Sequence, residues 1–537
     1  MEETALPAHA LRWLQRRTGL VDPAPSAQAS RSPEIADDAL SEPSVLSGQA
    51  RDALVAVVGA EHVRTDVESR LDGVAGLSYL DLMRRRGAGQ LAVPDAVVAP
   101  ADADEVSGVV RACAEWRVAL VPLGGGTSVV GGVAALRGCF YSVVVLDLRR
   151  LDKLVSVDTV SRLAVLQAGM RLPDAERALA ARGFTLGHLP QSYERATVGG
   201  CAATRSAGQA SSGYGRFEDM VEGLRVATPR GRWRLGVAPA SAAGPDLKHL
   251  MVGSEGAFGV ITEVTVRVRR APAVRRYEGF VLDGWERGCV AVAELARRGV
   301  LADVTRLSDE DETEVTLALR GGWQAMALRG YLRARRVSRP CLLILGWEDE
   351  DRYGVAHRSA ATLRALRSAA PVRLGRPPGE AWRHGRFSGP RQRDALLDAG
   401  VCVETLETAT RWSQLGALRG AVTGALKDAL TEPGRTPVVM CHVSHAYETG
   451  ASLYFTVLLP RDHSDPAGQW QRAKQAACEA ISGGDGPLGT ISHHHAVGVD
   501  HAPYLAGEIG DIGIDVLRAI KKTVDPTGIL NPGKLLP

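Results

Sequence analysis

The sequence predicts an α+β protein with more than one domain. Three observations carry that reading. Between residues 100 and 270, short β-branched runs alternate with helical segments. From about 275 to 500 the same mixture recurs with longer helices. Three glycine-rich stretches fall inside the first of these regions, more than ordinary turns require.

Taken in order, residues 8 to 19 (AHALRWLQRRTG) pattern as a short helix, suited either to packing on the body or to an interfacial anchor through Leu11, Trp13, Leu14 and Arg16-Arg17. Residues 21 to 48, rich in Pro, Ser, Ala and Asp, read as a poorly ordered linker. Helical patterning resumes near residue 50 and leads to PDAVVAP at 94 to 100, a short strand between prolines. Ala103 to Trp116 and Asp174 to Arg182 read as helices. Ala119 to Leu123, Ser142 to Leu148, Leu163 to Ala168, Leu224 to Thr228 and Gly259 to Val268 read as strands. In the second region, helices over 287 to 298 and 355 to 370 accompany strands at Cys341 to Leu345 and Ser452 to Leu459. The tail is a helix over 512 to 522 and a turn-rich hook, Asp525 to Lys534.

Composition narrows the class. A chain of 537 residues with 45% hydrophobic content can bury several cores. With 64 basic and 61 acidic residues the formal charge is +3, which gives no reason to expect a nucleic acid partner. The eight cysteines stand singly, with no Cys-x-x-Cys pair, as in reduced intracellular proteins. No apolar run approaches the ~18 residues of a membrane span, and Met-Glu-Glu-Thr lacks the layout of a signal peptide. The expectation is a cytoplasmic protein, with peripheral membrane association left open.

The chemistry-bearing segments are four. Pro122-Leu123-Gly124-Gly125-Gly126-Thr127-Ser128 follows a strand directly; consecutive glycines let backbone N–H groups converge on an anion. The loop is neither Gly-x-Gly-x-x-Gly opening a Rossmann helix nor a Walker loop, since Lys-Ser/Thr is missing. A second stretch runs from Pro190 through Gln191, Ser192, Thr197 and Gly200 to Thr204, Arg205 and Ser206. A third is Glu255-Gly256-Ala257-Phe258-Gly259-Val260-Ile261. Three such stretches suit a long ligand with its pyrophosphate at the first. The fourth segment is Ser492-His493-His494-His495, where three imidazoles suggest proton transfer, anion binding or metal ligation.

These segments resemble, in order, the PCMH-type FAD-binding domain of the vanillyl-alcohol-oxidase superfamily. The resemblance implies two FAD-binding subdomains over 93–272, an α+β cap or substrate domain over 273–505 and a C-terminal return to the FAD domain over 506–537. Ahead of them lie a helix and flexible linker (1–50) and a helical segment (51–92). It also implies that 122 to 128 meet the pyrophosphate, that 191 to 197 and 204 to 207 surround the flavin and ribityl region, and that 255 to 261 close the site. The first loop has no His or Cys for a covalent link, so FAD is expected to be noncovalent.

Within the superfamily two branches compete. FAD-linked D-2-hydroxy-acid dehydrogenases pair Ser-Gly-Glu-His-Gly with a His-x-Gly-Asp-Gly-Asn-x-His metal segment. Here His494 stands where the Glu would be and Tyr454 about where the second His would be, so no metal is expected. The chain instead resembles the alkyldihydroxyacetonephosphate-synthase branch, which has a His-His-His run and an upstream Tyr in a Tyr-Phe strand. That resemblance makes Tyr454 the general acid/base, with His493, His494, His495, Arg306, Arg393 and His188 as further catalytic residues and Arg393 and Thr405 toward an anionic lipid or small-molecule substrate. It implies exchange of an acyl group for a fatty alcohol through a flavin N5 adduct with no net redox change, in a homodimer. A FAD-dependent oxidoreductase of a hydroxy acid or alcohol is the alternative, and a flavin-binding protein without chemistry is a third.

Overall fold

The computed structural model describes residues 6–21, 43–483 and 486–536. The predicted linker over 21–48 lies largely outside the described residues. Contacts among the described residues divide the chain into two compact units, one of 43–208, 215–270 and 494–536, the other of 6–21, 209–214 and 271–493.

The first unit carries two sheets. One has four strands in the order Val63–Arg64, Ala96–Val98, Val143–Asp147, Ala119–Leu123, the last three parallel. Their near-continuous apolar sequences fit strands buried on both faces. Helix Ala103–Glu115 links two of them. Asp102 caps its N-terminus by accepting from the N–H groups of Asp104 and Glu105, and Val106, Val109, Val110 and Cys113 form its buried stripe. The other sheet is antiparallel, with five strands in the order Leu154–Asp158, Leu163–Gln167, Val260–Arg267, Val221–Thr228, Gly231–Leu235. The tail returns to this unit. Leu120 N–H donates to Ile529 O and Asn531 N–H to Leu120 O, each at 2.8 Å, which lays the hook beside strand Ala119–Leu123. The terminal helical stretch Leu505–Val524 is kinked at Gly510, whose φ of +72° is non-helical, and the predicted helix over 512–522 lies in its second part.

The second unit is built on a seven-stranded antiparallel sheet, ordered Val372–Gly375, Val274–Asp283, Pro340–Asp349, Val304–Ser308, Val438–Val443, Gly450–Pro460, Val401–Arg411. Helices Leu415–Leu430 and Pro466–Ser482 supply apolar stripes, Leu418, Val422 and Leu426 on one, Trp470, Ala473 and Ala477 on the other. The sequence reading lacked strand Val401–Arg411 because buried Glu404 and Glu407 interrupt its apolar pattern. Helix Ala8–Thr18 also belongs here. Ala10 and Leu14 are buried, His9 Nε2 lies 2.9 Å from Leu319 O, and Arg17 pairs with Asp311 at 3.5 Å. Burial of Leu14 contributes about 1.5–3 kcal/mol, so this helix spends its apolar face on the body. Contacts among the described residues place 6–21 and 209–214 with the second unit and start the C-terminal return at His494, whereas the sequence boundaries put the cap at 273–505.

Candidate functional site

The first unit holds a cradle made of backbone. Strand Ala119–Leu123 delivers the chain into Gly124-Gly125-Gly126. A Cβ on Gly124 would stand 2.3 Å from Thr197 Oγ1, and one on Gly125 would stand 2.1 Å from Arg195 O. Only glycine lets the first and second stretches approach so closely. Gly126 takes φ +65°, which favours glycine as well. Among the described residues, the backbone N–H groups of Gly125, Gly126 and Thr127 donate to no protein acceptor. Three half-buried unsatisfied donors in consecutive residues form a concavity suited to an anion.

Hydroxyls around the cradle mostly hold it in shape. Ser128 Oγ accepts from Gly132 N–H at 2.9 Å, Thr197 Oγ1 caps helix Val198–Ala203 through Gly200 N–H, and Thr204 Oγ1 donates to Gly200 O at 2.9 Å. Arg205 is ion-paired with Glu218, and Gln191 is exposed while Ser192 O accepts from Arg195 and Ala196 N–H. Ser206 Oγ sits 3.0 Å from His188 Nε2. His188 is 1% exposed, and burial, with the charge of His494 adding to it, pushes its pKa down to about 3. It is a neutral hydrogen-bonding group at neutral pH, and among the described residues its Nδ1 has no partner.

The third stretch is a clasp. Glu255 is buried and accepts from the N–H groups of Val497 (2.8 Å) and Gly498 (2.8 Å); burial lifts its pKa to about 7 despite those bonds and the Lys534 charge. Asn531 Nδ2 donates to Gly132 O (3.1 Å) and Glu255 O (2.6 Å), and Lys534 Nζ to Ala134 O (2.5 Å). The sequence reading noticed the hook but not that Asn531 and Lys534 grip the glycine loop. Gly256 takes φ +78° with its Cα against Pro122, and Gly259 abuts Val226. Val260 and Ile261 are buried strand residues whose side chains serve the core.

The second unit holds a cluster made of side chains. Residues directly opposed in an antiparallel ladder share a face. Tyr454 is paired on one side with Glu407 and on the other with His442, and His442 is paired with the nearby Ser308 on its far side. Thr405 and Arg306, each two residues from a member of this row, share its face. The His442 imidazole stacks on the phenol with centroids 4.8 Å apart. Arg306 reaches His442 Nε2 (2.9 Å) and Glu312 Oε1 (2.6 Å), and Glu312 Oε1 lies 3.1 Å from His442 Nδ1. Burial would raise the Glu312 carboxyl, yet Arg306 and His442 hold it well below the carboxylate range. Asp309, fully buried, anchors this group: it caps helix Glu310–Arg320 through Glu312 N–H and accepts from Cys441 N–H and Arg419.

Tyr454 is pushed up to about 12, chiefly by burial and further by the charges of Glu404 and Glu407. A hydrogen bond with Thr405 and the charge of Arg393 on helix Gly389–Asp398 pull the other way. The phenol therefore holds its proton at neutral pH. Of the histidine run, His493 is 6% exposed and tied into this unit. Its N–H donates to both oxygens of Glu407 (2.9 and 3.0 Å), its Nδ1 lies 3.6 Å from Glu407, and its Nε2 lies 2.6 Å from Tyr447 OH. His494 and His495 belong to the first unit and meet each other edge-on, 4.9 Å apart. Glu407, on a strand 86 residues earlier, places a carboxylate beside His493, a neighbour that the sequence did not reveal. Glu407, His442, Glu312 and Tyr447 were not recognised as site residues. The one signal available was the pair of acids inside GVCVETLETAT.

Both halves define a flavoenzyme. The FAD binding domain family matches residues 94–235, and the C-terminal domain family of FAD linked oxidases matches 271–535. The cradle fits that cofactor: its glycines leave no room for Cβ atoms, and its N–H groups are unsatisfied. The chain is 31% identical to the alkyldihydroxyacetonephosphate synthases of Trypanosoma brucei brucei (90% of this chain, 80% of that one) and Dictyostelium discoideum (89% and 79%). An uncharacterized FAD-linked oxidoreductase of Escherichia coli K12 is 28% identical over 90% of this chain and 98% of its own. A solved structure of an alkyldihydroxyacetonephosphate synthase, 27% identical, superposes with a TM-score of 0.81 over 98% of this chain and 92% of that one. The chain belongs to the alkyldihydroxyacetonephosphate synthase family and is an FAD-dependent enzyme.

Proposed function

We propose that the protein exchanges the acyl group of an acyl-dihydroxyacetone phosphate for a fatty alcohol, without net redox change. The ester C–O bond at the ketone-bearing fragment breaks, the fatty acid leaves as its carboxylate, and the alcohol oxygen forms the new ether C–O bond as it gives up its proton. FAD, held noncovalently, serves as an electron sink that returns unchanged. Tyr454 holds and moves a proton at its phenolic oxygen, with Thr405 and Arg393 easing its ionisation. Arg393 suits the phosphate or the departing carboxylate, since guanidinium grips such groups through two N–H bonds, while Arg306, bound to Glu312 and His442, adds positive charge to the face.

The observation that carries this reading is the sheet face itself: a proton-holding phenol stacked on an imidazole, with carboxylate and guanidinium partners on either side. The names of the relatives at 31% identity support the same substrate class. The test is anaerobic incubation of the purified flavoprotein with acyl-dihydroxyacetone phosphate and labelled hexadecanol. Labelled ether product with one fatty acid released per turnover, and no acceptor reduced, is expected. Flavin bleaching by a D-hydroxy acid, with no exchange, would replace this reading with an oxidoreductase like the Escherichia coli relative.

A further inference from the structure

We infer that Glu407 is a positioning residue that fixes the His493 imidazole, with the proton on Nδ1 and Nε2 accepting from Tyr447 O–H. This makes Tyr447–His493 a proton connection between solvent and the sheet face that carries Tyr454.

Three observations support it. Glu407 is 2% exposed, yet both carboxylate oxygens face the His493 backbone N–H, and Ser492 Oγ adds a third bond at 3.2 Å. A buried carboxylate so placed, 3.6 Å from Nδ1, repels a lone pair there and favours N–H. That leaves Nε2 as acceptor for Tyr447 OH at 2.6 Å, while His445 stacks on the ring at 4.9 Å and fixes its plane. Glu407 is also the direct cross-strand partner of Tyr454, and its charge is among those that hold the phenol protonated. One carboxylate thus lies 3.6 Å from the His493 imidazole and acts through its charge on the Tyr454 phenol. Tyr447 is 36% exposed, so the chain from Glu407 through His493 ends at solvent.

The kinetic arm rests on the proposed exchange reaction; the spectroscopic arm does not. Glu407→Gln keeps an oxygen for the His493 N–H and removes only the charge. In the flavin-loaded variant, kcat for exchange is expected to fall about 10–100-fold with KM within about twofold, as for other groups that orient a catalytic imidazole. On ¹⁵N-histidine-labelled holoprotein, with the His493 signals assigned by comparison with His493→Gln, wild type shows Nδ1–H and an unprotonated Nε2. E407Q shifts toward a tautomer mixture. Tyr447→Phe, at the exposed end where folding is not at stake, moves the Nε2 resonance alone. Unchanged His493 signals in E407Q, or kcat within about twofold of wild type, overturn the inference. Should wild type catalyse no exchange, the proposed function falls and the tautomer measurement still decides for or against Glu407.

Discussion

The glycine cradle of the first unit and the sheet face of the second are sites of opposite construction. In the cradle, function lies in backbone: three consecutive N–H groups left open and contacts so close that no Cβ fits. On the sheet face it lies in side chains drawn from strands Val304–Ser308, Val401–Arg411, Val438–Val443 and Gly450–Pro460, aligned by register. A backbone site tolerates no added atom but is indifferent to most side-chain chemistry. A side-chain site tolerates neighbours of similar shape but not the loss of one functional group. The two should therefore fail differently.

The largest effect expected is from Gly125→Ala. The new Cβ would meet Arg195 O at 2.1 Å, a backbone atom that cannot rotate away, so the two loops must part. The purified variant should carry little or no flavin at 450 nm, while its second unit stays folded as judged by protease resistance of that half. A flavin content like wild type would show that the cradle is looser than its geometry and would remove the contrast. Gly124→Ala should cost less, since its clash is with the Thr197 side chain.

Tyr454→Phe should do the reverse. Flavin content stays at the wild-type level, and the exchange rate falls by about 10²–10⁴, the usual contribution of a positioned acid or base. The phenol sits among Thr405, His442 and Glu407, and phenylalanine keeps the ring that stacks on the His442 imidazole. A rate within a factor of about three of wild type would move the proton-transfer role elsewhere on the face.

The difference also explains what could be read from the sequence. Gly124, Gly125, Gly126 and Gly256 all sit where no side chain fits or φ is positive, so residue type alone reports them even though Thr197, Arg195 and Pro122, the neighbours that exclude a Cβ, lie far along the chain. Strand Ala119–Leu123 was legible through its uninterrupted apolar run, and Val260–Arg267 through its β-branched residues. The sheet face was legible only in part. Tyr454, Arg306, Arg393, Thr405 and the histidine run stood out through family resemblance, whereas Glu407, His442 and Glu312 acquire meaning only from pairings across 130 residues or more, or across 86. Buried acids made this worse. Glu404 and Glu407 broke the alternation that would have announced strand Val401–Arg411, so the functional residues hid their own element. His188 shows the limit of reading a role from residue type, since burial leaves it uncharged at neutral pH.

The smallest expected effect sharpens the comparison at the cradle's edge, where its backbone is held by ionisable groups. Glu255 sits at about 7 against an ordinary 4.5, burial outweighing the Val497 and Gly498 N–H bonds and the Lys534 charge. A carboxyl raised on folding binds its proton more tightly in the folded state. Its contribution to stability is therefore fully present below about 4.5 and is lost as pH rises through about 7. Glu255→Gln keeps an acceptor for those N–H groups and removes the titration. Relative to wild type, the variant should gain stability between pH 5 and pH 8, read as a shrinking or reversed difference in Tm. Lys534, pushed down to about 7 by its own burial, titrates over a window that begins where the Glu255 window ends, so the comparison is cleanest below neutrality. A Tm difference that is flat from pH 5 to pH 7 would mean that Glu255 is already ionised and paired in the folded protein. The clasp on the glycine loop would then be an ion pair with Lys534, and the cradle would depend on side-chain charge as the sheet face does.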